Sequence, residues 1–207
     1  RVLLLNGNRL TSLGDEFESL SNLEKLDVSN NHIQHVGPAI GKLVSLEELN
    51  MSGNMVEKLP DEIGFCSNLE VLDLNGCFLT SLPNDLTYST RIMELNLGNN
   101  GLTSLPNDIG RMTRLCNLNL ADNELTNLPM SIGLCQGLDR LGAGFNIDRN
   151  PITDEKMLKR FAVGTDHLCQ YLANRLQAWE AHLKQEGRGK TVLSPWRGPC
   201  APKSSGS

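Results

Sequence analysis

The feature that most constrains this chain is that it repeats itself every 23 residues. Leu3, Leu26, Leu49, Leu72, Leu95, Leu118 and Leu141 stand at that step. So do Asn8, Asn31, Asn54, Cys77, Asn100, Asn123 and Asn146. The frame that holds them is L-x-x-L-x-L-x-x-N-x-L, as in LEKLDVSNNHI (23–33), LEVLDLNGCFL (69–79) and LCNLNLADNEL (115–125). A fixed period of this length dictates a solenoid, because one unit cannot bury its apolar face alone and must share a core with its neighbours. With only two Trp, two Tyr and five Phe in the chain, that core is built mostly from leucine.

In each L-x-L the two leucines point to one face of a short strand and the residue between them to the other. Stacked units then pair their strands in parallel, and the crossovers are right-handed. Leaving the strand strands backbone groups inside the core, where an unpaired donor or acceptor is costly. An Asn amide offers donors and an acceptor together. The series Asn8, Asn31, Asn54, Cys77, Asn100, Asn123 and Asn146 is therefore read as a structural ladder, with Cys77 a small buried thiol in the same slot.

The second half of the unit reads L-P-x-x-I/L-G, as in LPDEIGFCSNL (59–69), LPNDIGRMTRL (105–115) and LPMSIGLCQGL (128–138). Pro fixes φ and opens a helical turn, an acidic residue suits its start, and Gly is expected to serve for conformational freedom. A short helix or turn is expected on the convex side. The first two units carry Leu13-Gly14 and Val36-Gly37 instead of Leu-Pro. The repeat frays in LDRLGAGFNIDRNPITDEKML (138–158), where Ala143 stands in place of a leucine. Leu168, Leu172, Leu176, Trp179 and Leu183 then recur as one face of a helix. The expected organisation is 1–149 repeats, 150–184 a helical cap over the core's open end, and 185–207 a disordered Gly/Pro/Ser-rich tail. A partner-docking helix is the alternative use of that apolar face. The chain opens inside the repeat pattern, so its N-terminal part is expected to be missing.

The fold class that follows is α/β: a right-handed leucine-rich repeat solenoid with a parallel sheet on its concave face and a C-terminal helical cap. The 23-residue unit with L-P-x-x-I-G resembles that of the Ras-group intracellular leucine-rich repeat family. The stretch NPITDEKMLKRFAVGTDHLCQYL (150–172), with Asn150, Pro151, Gly164, His167 and Tyr171, is similar to the cap of that family's Ras suppressor branch. The resemblance implies a cytoplasmic adaptor near Ras-type signalling or cell–matrix adhesion, whose partners are Ras-pathway components or LIM-domain adaptors.

Concave faces are the working surface of solenoids. Between the strand leucines stand Asp27, Asn50, Asp73, Asn96 and Asn119, and one position earlier stand Lys25, Glu48, Glu94, Asn117 and Arg140, with Val71 among them. These form an acidic stripe with a basic residue near each end, suited to a basic or mixed-charge protein surface. A merely solvated strand face is the alternative. Residues 1–146 hold nine Lys and Arg against eighteen Asp and Glu, and residues 147–207 hold ten against six. The acidic part lacks the basic footprint that nucleic acid needs, and no apolar run is long enough to span a bilayer.

No enzyme chemistry, cofactor or metal is expected. The six cysteines (Cys66, Cys77, Cys116, Cys135, Cys169 and Cys200) have no C-x-x-C spacing, and Cys66 and Cys135 lie three periods apart, in one convex slot. They are read as reduced structural thiols. His32 and His35 lack accompanying ligands. Asn50-Met51-Ser52 is a sequon on a strand, and GRGK (187–190) lacks the spacing of a phosphate loop. The leading expectation is a non-catalytic signalling scaffold. A recognition segment of a larger enzyme, such as a kinase or cyclase carrying repeats, and an extracellular receptor domain are the alternatives.

Overall fold

The computed structural model describes residues 1–135, 137–140 and 144–185. In chain order the strands are β1 (Val2–Leu4), β2 (Ser12–Leu13), β3 (Lys25–Asp27), β4 (His35–Val36), β5 (Glu48–Asn50), β6 (Val71–Asp73), β7 (Glu94–Asn96), β8 (Asn117–Asn119) and β9 (Phe145–Asn146). The helices are α1 (Gly137–Arg140), α2 (Glu155–Val163) and α3 (Thr165–Gln185). Among the described residues β1, β3 and β5 to β9 form one parallel sheet, each strand beside that of the next repeat. Its central leucines are in register from Leu3 to Leu118. A two-stranded ribbon of β2 and β4 runs along one flank.

The alternation of L-x-L turns the leucines inward, and Leu26, Leu49, Leu72, Leu95 and Leu118 are each at most 1% exposed. Each such burial is worth about 2 kcal/mol. The core is closed from the convex side by short 3-10 turns at Pro38–Lys42, Asp61–Phe65, Asn84–Tyr88, Ile109–Arg111 and Met130–Leu134. These turns bury Ile40, Ile63, Leu86, Ile109 and Ile132. Their glycines act through space rather than conformational freedom. None of Gly41, Gly64 and Gly110 has a positive φ, and a Cβ on Gly64 or Gly110 would collide with the carbonyl oxygen of Asp85 or Ser131 in the next repeat. A missing side chain sets how closely the convex turns stack.

The asparagine slot does its work between repeats. Asn31 accepts the Leu10 N–H (3.0 Å) and donates to Leu5 O (2.9 Å) in the preceding repeat, and to Val28 O (2.9 Å) and Ser29 O (3.1 Å) in its own. Asn54, Asn100 and Asn123 repeat this pattern on Ile33, Leu79 and Leu102. Among the described residues Asn8 bonds within its own turn, to Leu5 O and Asn6 O. Cys77 donates a single bond, to Met51 O (3.4 Å). The residue before each slot is left-handed: Gly7, Asn30, Gly53, Gly76, Asn99, Asp122 and Arg149 have φ between 52° and 68°. Gly, Asn and Asp tolerate that region.

The last repeat departs from the expected frame. Leu118 pairs with Phe145 and Asn119 with Asn146, so the step here is 27 residues rather than 23. Asn146, expected on the ladder, is instead a strand residue. The rung belongs to Asn150, expected in the cap, which accepts the Leu125 N–H (3.0 Å) and donates to Leu120 O (2.8 Å) and Ile147 O (3.0 Å). The four added residues fall before β9, where α1 replaces the approach to the strand, and the expected strand leucine, Leu141, lies outside the described residues. Phe145 and Ile147 take the inward positions and are buried.

The cap follows directly. Asp154 caps α2 by accepting the N–H groups of Lys156 and Met157, both at 3.0 Å. Its other oxygen takes Arg175 of α3 at 2.8 Å. Phe161 of α2 meets Phe145 edge-on at 5.9 Å. On α3, Leu168, Leu172 and Leu176 are buried, and the helix packs on the Met130–Leu134 turn. Gly133 lets the Cys169–Ala173 backbone approach it there. Trp179, expected on the same apolar face, is 42% exposed. The expected tail, apart from Gln185, lies outside the described residues.

Replacing a rung should weaken the whole stack. Asn123→Ala removes the acceptor for the buried Leu102 N–H and is expected to cost about 2 to 3 kcal/mol. Cys77→Asn restores a full rung and is expected to gain about 1 kcal/mol. Urea unfolding of the two variants checks both signs.

Candidate functional site

The concave sheet carries two outward rows. In the first, Lys25, Glu48, Val71, Glu94 and Asn117 stand side by side in strict register. In the second stand Asp27, Asn50, Asp73, Asn96, Asn119 and Asn146. The rows differ in what their side chains do. Each Oδ1 of the second row accepts the backbone N–H two residues on: Asp27 from Ser29 (2.9 Å), Asn50 from Ser52 (3.0 Å), Asp73 from Asn75 (2.9 Å), Asn96 from Gly98 (3.4 Å), Asn119 from Ala121 (3.1 Å) and Asn146 from Asp148 (2.9 Å). These are Asx turns that bend the chain out of the strand. Asn119 also donates to Asn96 at 2.9 Å. The second row is committed to the fold, although Asp27 and Asp73 still lend it charge.

The first row is free of such duty. Lys25 pairs with Glu48 across the sheet, both side chains half exposed, and a pair this wet adds little to stability. Val71, Glu94 and Asn117 make no side-chain hydrogen bond or ion pair among the described residues. Arg140, expected at the end of this row, is not on the sheet. It belongs to α1, and the strand position after Asn117 falls to Gly144, whose carbonyl accepts the Leu118 N–H. Among the described residues the stripe is therefore acidic, with Lys25 at its N-terminal side. Beyond Lys25 the first strand exposes Val2 (60%) and Leu4 (59%).

A second hollow, of about 660 Å³, lies on the flank where the β2–β4 ribbon stops. The ribbon is held by the Gly37 N–H donating to Leu13 O at 2.7 Å. The equivalent position one repeat later is Pro60, which has no N–H to donate to Val36. Exposed Met55 and Phe78 flank the resulting groove, with His35 and Lys58 on its rim. The sequence signal for it was available: the switch from Val36-Gly37 to Leu59-Pro60, with two large apolar residues at solvent-facing positions.

The thiols sit in the frame. Cys66 donates to Ile40 O (3.3 Å) and Cys135 to Ile109 O (3.6 Å), and Ser89 bonds Ile63 O in the same convex slot. Among the described residues Cys66, Cys77, Cys116, Cys135 and Cys169 form no disulfide, and Cys200 lies outside them. Burial pushes the Cys66 thiol up from 9.0 to about 12 and also raises that of Cys77. A raised folded-state value means that this thiol's contribution to stability is whole below pH 9 and is lost as pH rises toward 12. The urea midpoint is therefore expected to fall between pH 8.5 and about 11, less so in Cys66→Ala. At pH 8 an aromatic disulfide reagent should reach Cys116 well before Cys66. Among the described residues no three His, Cys, Asp or Glu are grouped to hold a metal, and no helix is long and apolar enough to cross a membrane.

Family models for leucine-rich repeats match residues 1–56, 44–88 and 91–112. The chain is similar to a leucine-rich repeat protein of Leptospira interrogans, at 33% identity and a TM-score of 0.60 over 78% of this chain and 46% of that one. It is similar to a plant peptide hormone receptor, RGFR1, solved in complex with RGF2, at 31% identity and a TM-score of 0.64 over 73% and 25%. An internalin of Listeria monocytogenes shares the fold, at 22% identity and a TM-score of 0.62 over 74% and 43%. The chain spans less than half the length of each of these structures. None of the curated proteins compared with the chain matches it.

Proposed function

The chain is a leucine-rich repeat protein, of a class that mediates protein–protein interaction, and on that premise we propose that it is a non-catalytic scaffold in intracellular signalling. The observation that carries this reading is the division of labour on the concave sheet. One row of side chains is spent on the turns, while Glu48, Val71, Glu94 and Asn117 stand in line, Glu48 in an exposed ion pair with Lys25 and the other three without a side-chain bond among the described residues. A line of carboxylates around one apolar side chain suits a basic or mixed-charge protein surface, steered by charge and seated on Val71. Unlinked thiols accord with a reducing, cytoplasmic setting. The cap's similarity to that of Ras suppressor protein favours a Ras-pathway component or a LIM-domain adaptor as the partner. Nucleic acid is disfavoured by the acidic face.

A second reading is that these repeats are the recognition segment of a larger protein, a receptor or a signalling enzyme such as a kinase or cyclase. It is favoured by the plant hormone receptor, of which the chain spans only 25%.

Because Asp27 and Asp73 hold turns, the informative variant is Glu48→Lys/Glu94→Lys, which leaves both ladders intact. Partners are captured from cell lysate on the whole chain, and the affinity of each is then measured by calorimetry. The variant is expected to keep its circular dichroism and to bind the basic partner at least about tenfold more weakly, a change of about 1.4 kcal/mol. Equal affinity in the folded variant would move the binding surface off the concave face.

A further inference from the structure

The cap has an outward side that the fold leaves unused. Helix α2 buries Met157 and sets Phe161 against Phe145. Its opposite side then presents Lys156, Lys159, Arg160 and Val163, spaced three, four and seven residues on as one stripe. Tyr171 of α3 forms the facing wall. Arg175 lies over its ring at 5.5 Å and is held in turn by Asp154 at 2.8 Å, so this wall is braced from behind. Between the walls lies a hollow of about 450 Å³, and no carboxylate lines it. Val163 is 66% exposed at its mouth. Lys159 has one partner, Glu155 at 3.3 Å, with both side chains about four-fifths exposed, a contact that water and salt readily exchange. Lys156 and Arg160 have no ion pair among the described residues.

We propose that this groove docks an acidic peptide segment carrying one apolar side chain. Three cations around a hollow that no carboxylate lines, with only Lys159 in an exposed ion pair, select for acid. Arg160 offers a planar fork to a carboxylate, and the lysines act as point charges at the rim. The lysine stems, Val163 and the Tyr171 ring supply an apolar lining that takes one side chain between the charges. A hollow with two walls receives a narrow segment, whereas a flat bilayer cannot enter it. The acidic concave face would repel the same ligand. The chain thus carries two surfaces of opposite charge preference, and a scaffold built this way holds a basic partner on its sheet and an acidic one on its cap.

The test selects peptides from a random twelve-residue display library on the whole chain and measures the winners by fluorescence anisotropy. The expected winners carry Asp or Glu on both sides of a Leu, Phe or Tyr. Their Kd should rise steeply with salt and at least tenfold in Lys156→Glu/Lys159→Glu/Arg160→Glu. It should also rise in the milder Arg160→Gln and Val163→Asp, and should not rise in Glu48→Lys/Glu94→Lys. Thermal unfolding shows that each variant is folded. The proposal is overturned if no acidic peptide is selected, or if the winners bind the folded cap variants as tightly as the parent. It is also overturned if phosphatidylserine vesicles are bound through these lysines while no peptide is. None of these outcomes bears on the concave face, whose basic partner is read separately.

Discussion

Each strand in this sheet must be left by a sharp turn, and a sharp turn strands backbone N–H and C=O groups inside a leucine core. Everything else depends on how that debt is met. An amide at Asn31, Asn54, Asn100, Asn123 or Asn150 links its own turn to the one before. A second set, Asp27 through Asn146, closes the outer side of the same turn. A third, of Cys66, Ser89 and Cys135, does so on the convex side. The leucines supply the free energy of stacking, but the polar ladders set where each repeat sits on the next. Cys77 shows the limit of the rule: a thiol fits the slot, accepting backbone N–H groups there, but it donates one bond where an amide donates several.

This division also decides what is left for function. A polar residue on the concave sheet is not free merely because it faces outward. Asp73 and Glu94 both carry a carboxylate, yet one holds the Asn75 N–H and the other makes no side-chain hydrogen bond among the described residues. The same holds on the flank, where the loss of one N–H at Pro60 ends the ribbon and opens a groove. At the cap, the demands of Phe145 and the last turn fix the inner faces of α2 and α3, and the outer side of α2 carries the cations.

Most of the fold was legible because a solenoid is nearly one-dimensional: each unit touches only its neighbours, so one period describes every contact. Legibility failed at the last repeat because two frames compete there. Leu141 and Asn146 satisfy a step of 23, while Phe145, Ile147 and Asn150 satisfy the same pattern four residues later. Nothing local decides between them. The pairing of β9 with β8 does, and the left-handed Arg149 before Asn150 marks the chosen frame. Arg140 left the proposed site for this reason alone.

By itself the sequence determined the period, the inward leucines, the parallel sheet, the convex turns and the helical cap, since all follow from side-chain type at fixed spacing. Only the tertiary structure decided which equally polar residues are hydrogen-bonded to the backbone and which are free. It also decided why Gly64 must be glycine, and where cations from one helix meet a ring from another. Those are matters of what stands opposite a residue in space, and a repeat read along the chain says only what stands 23 residues away.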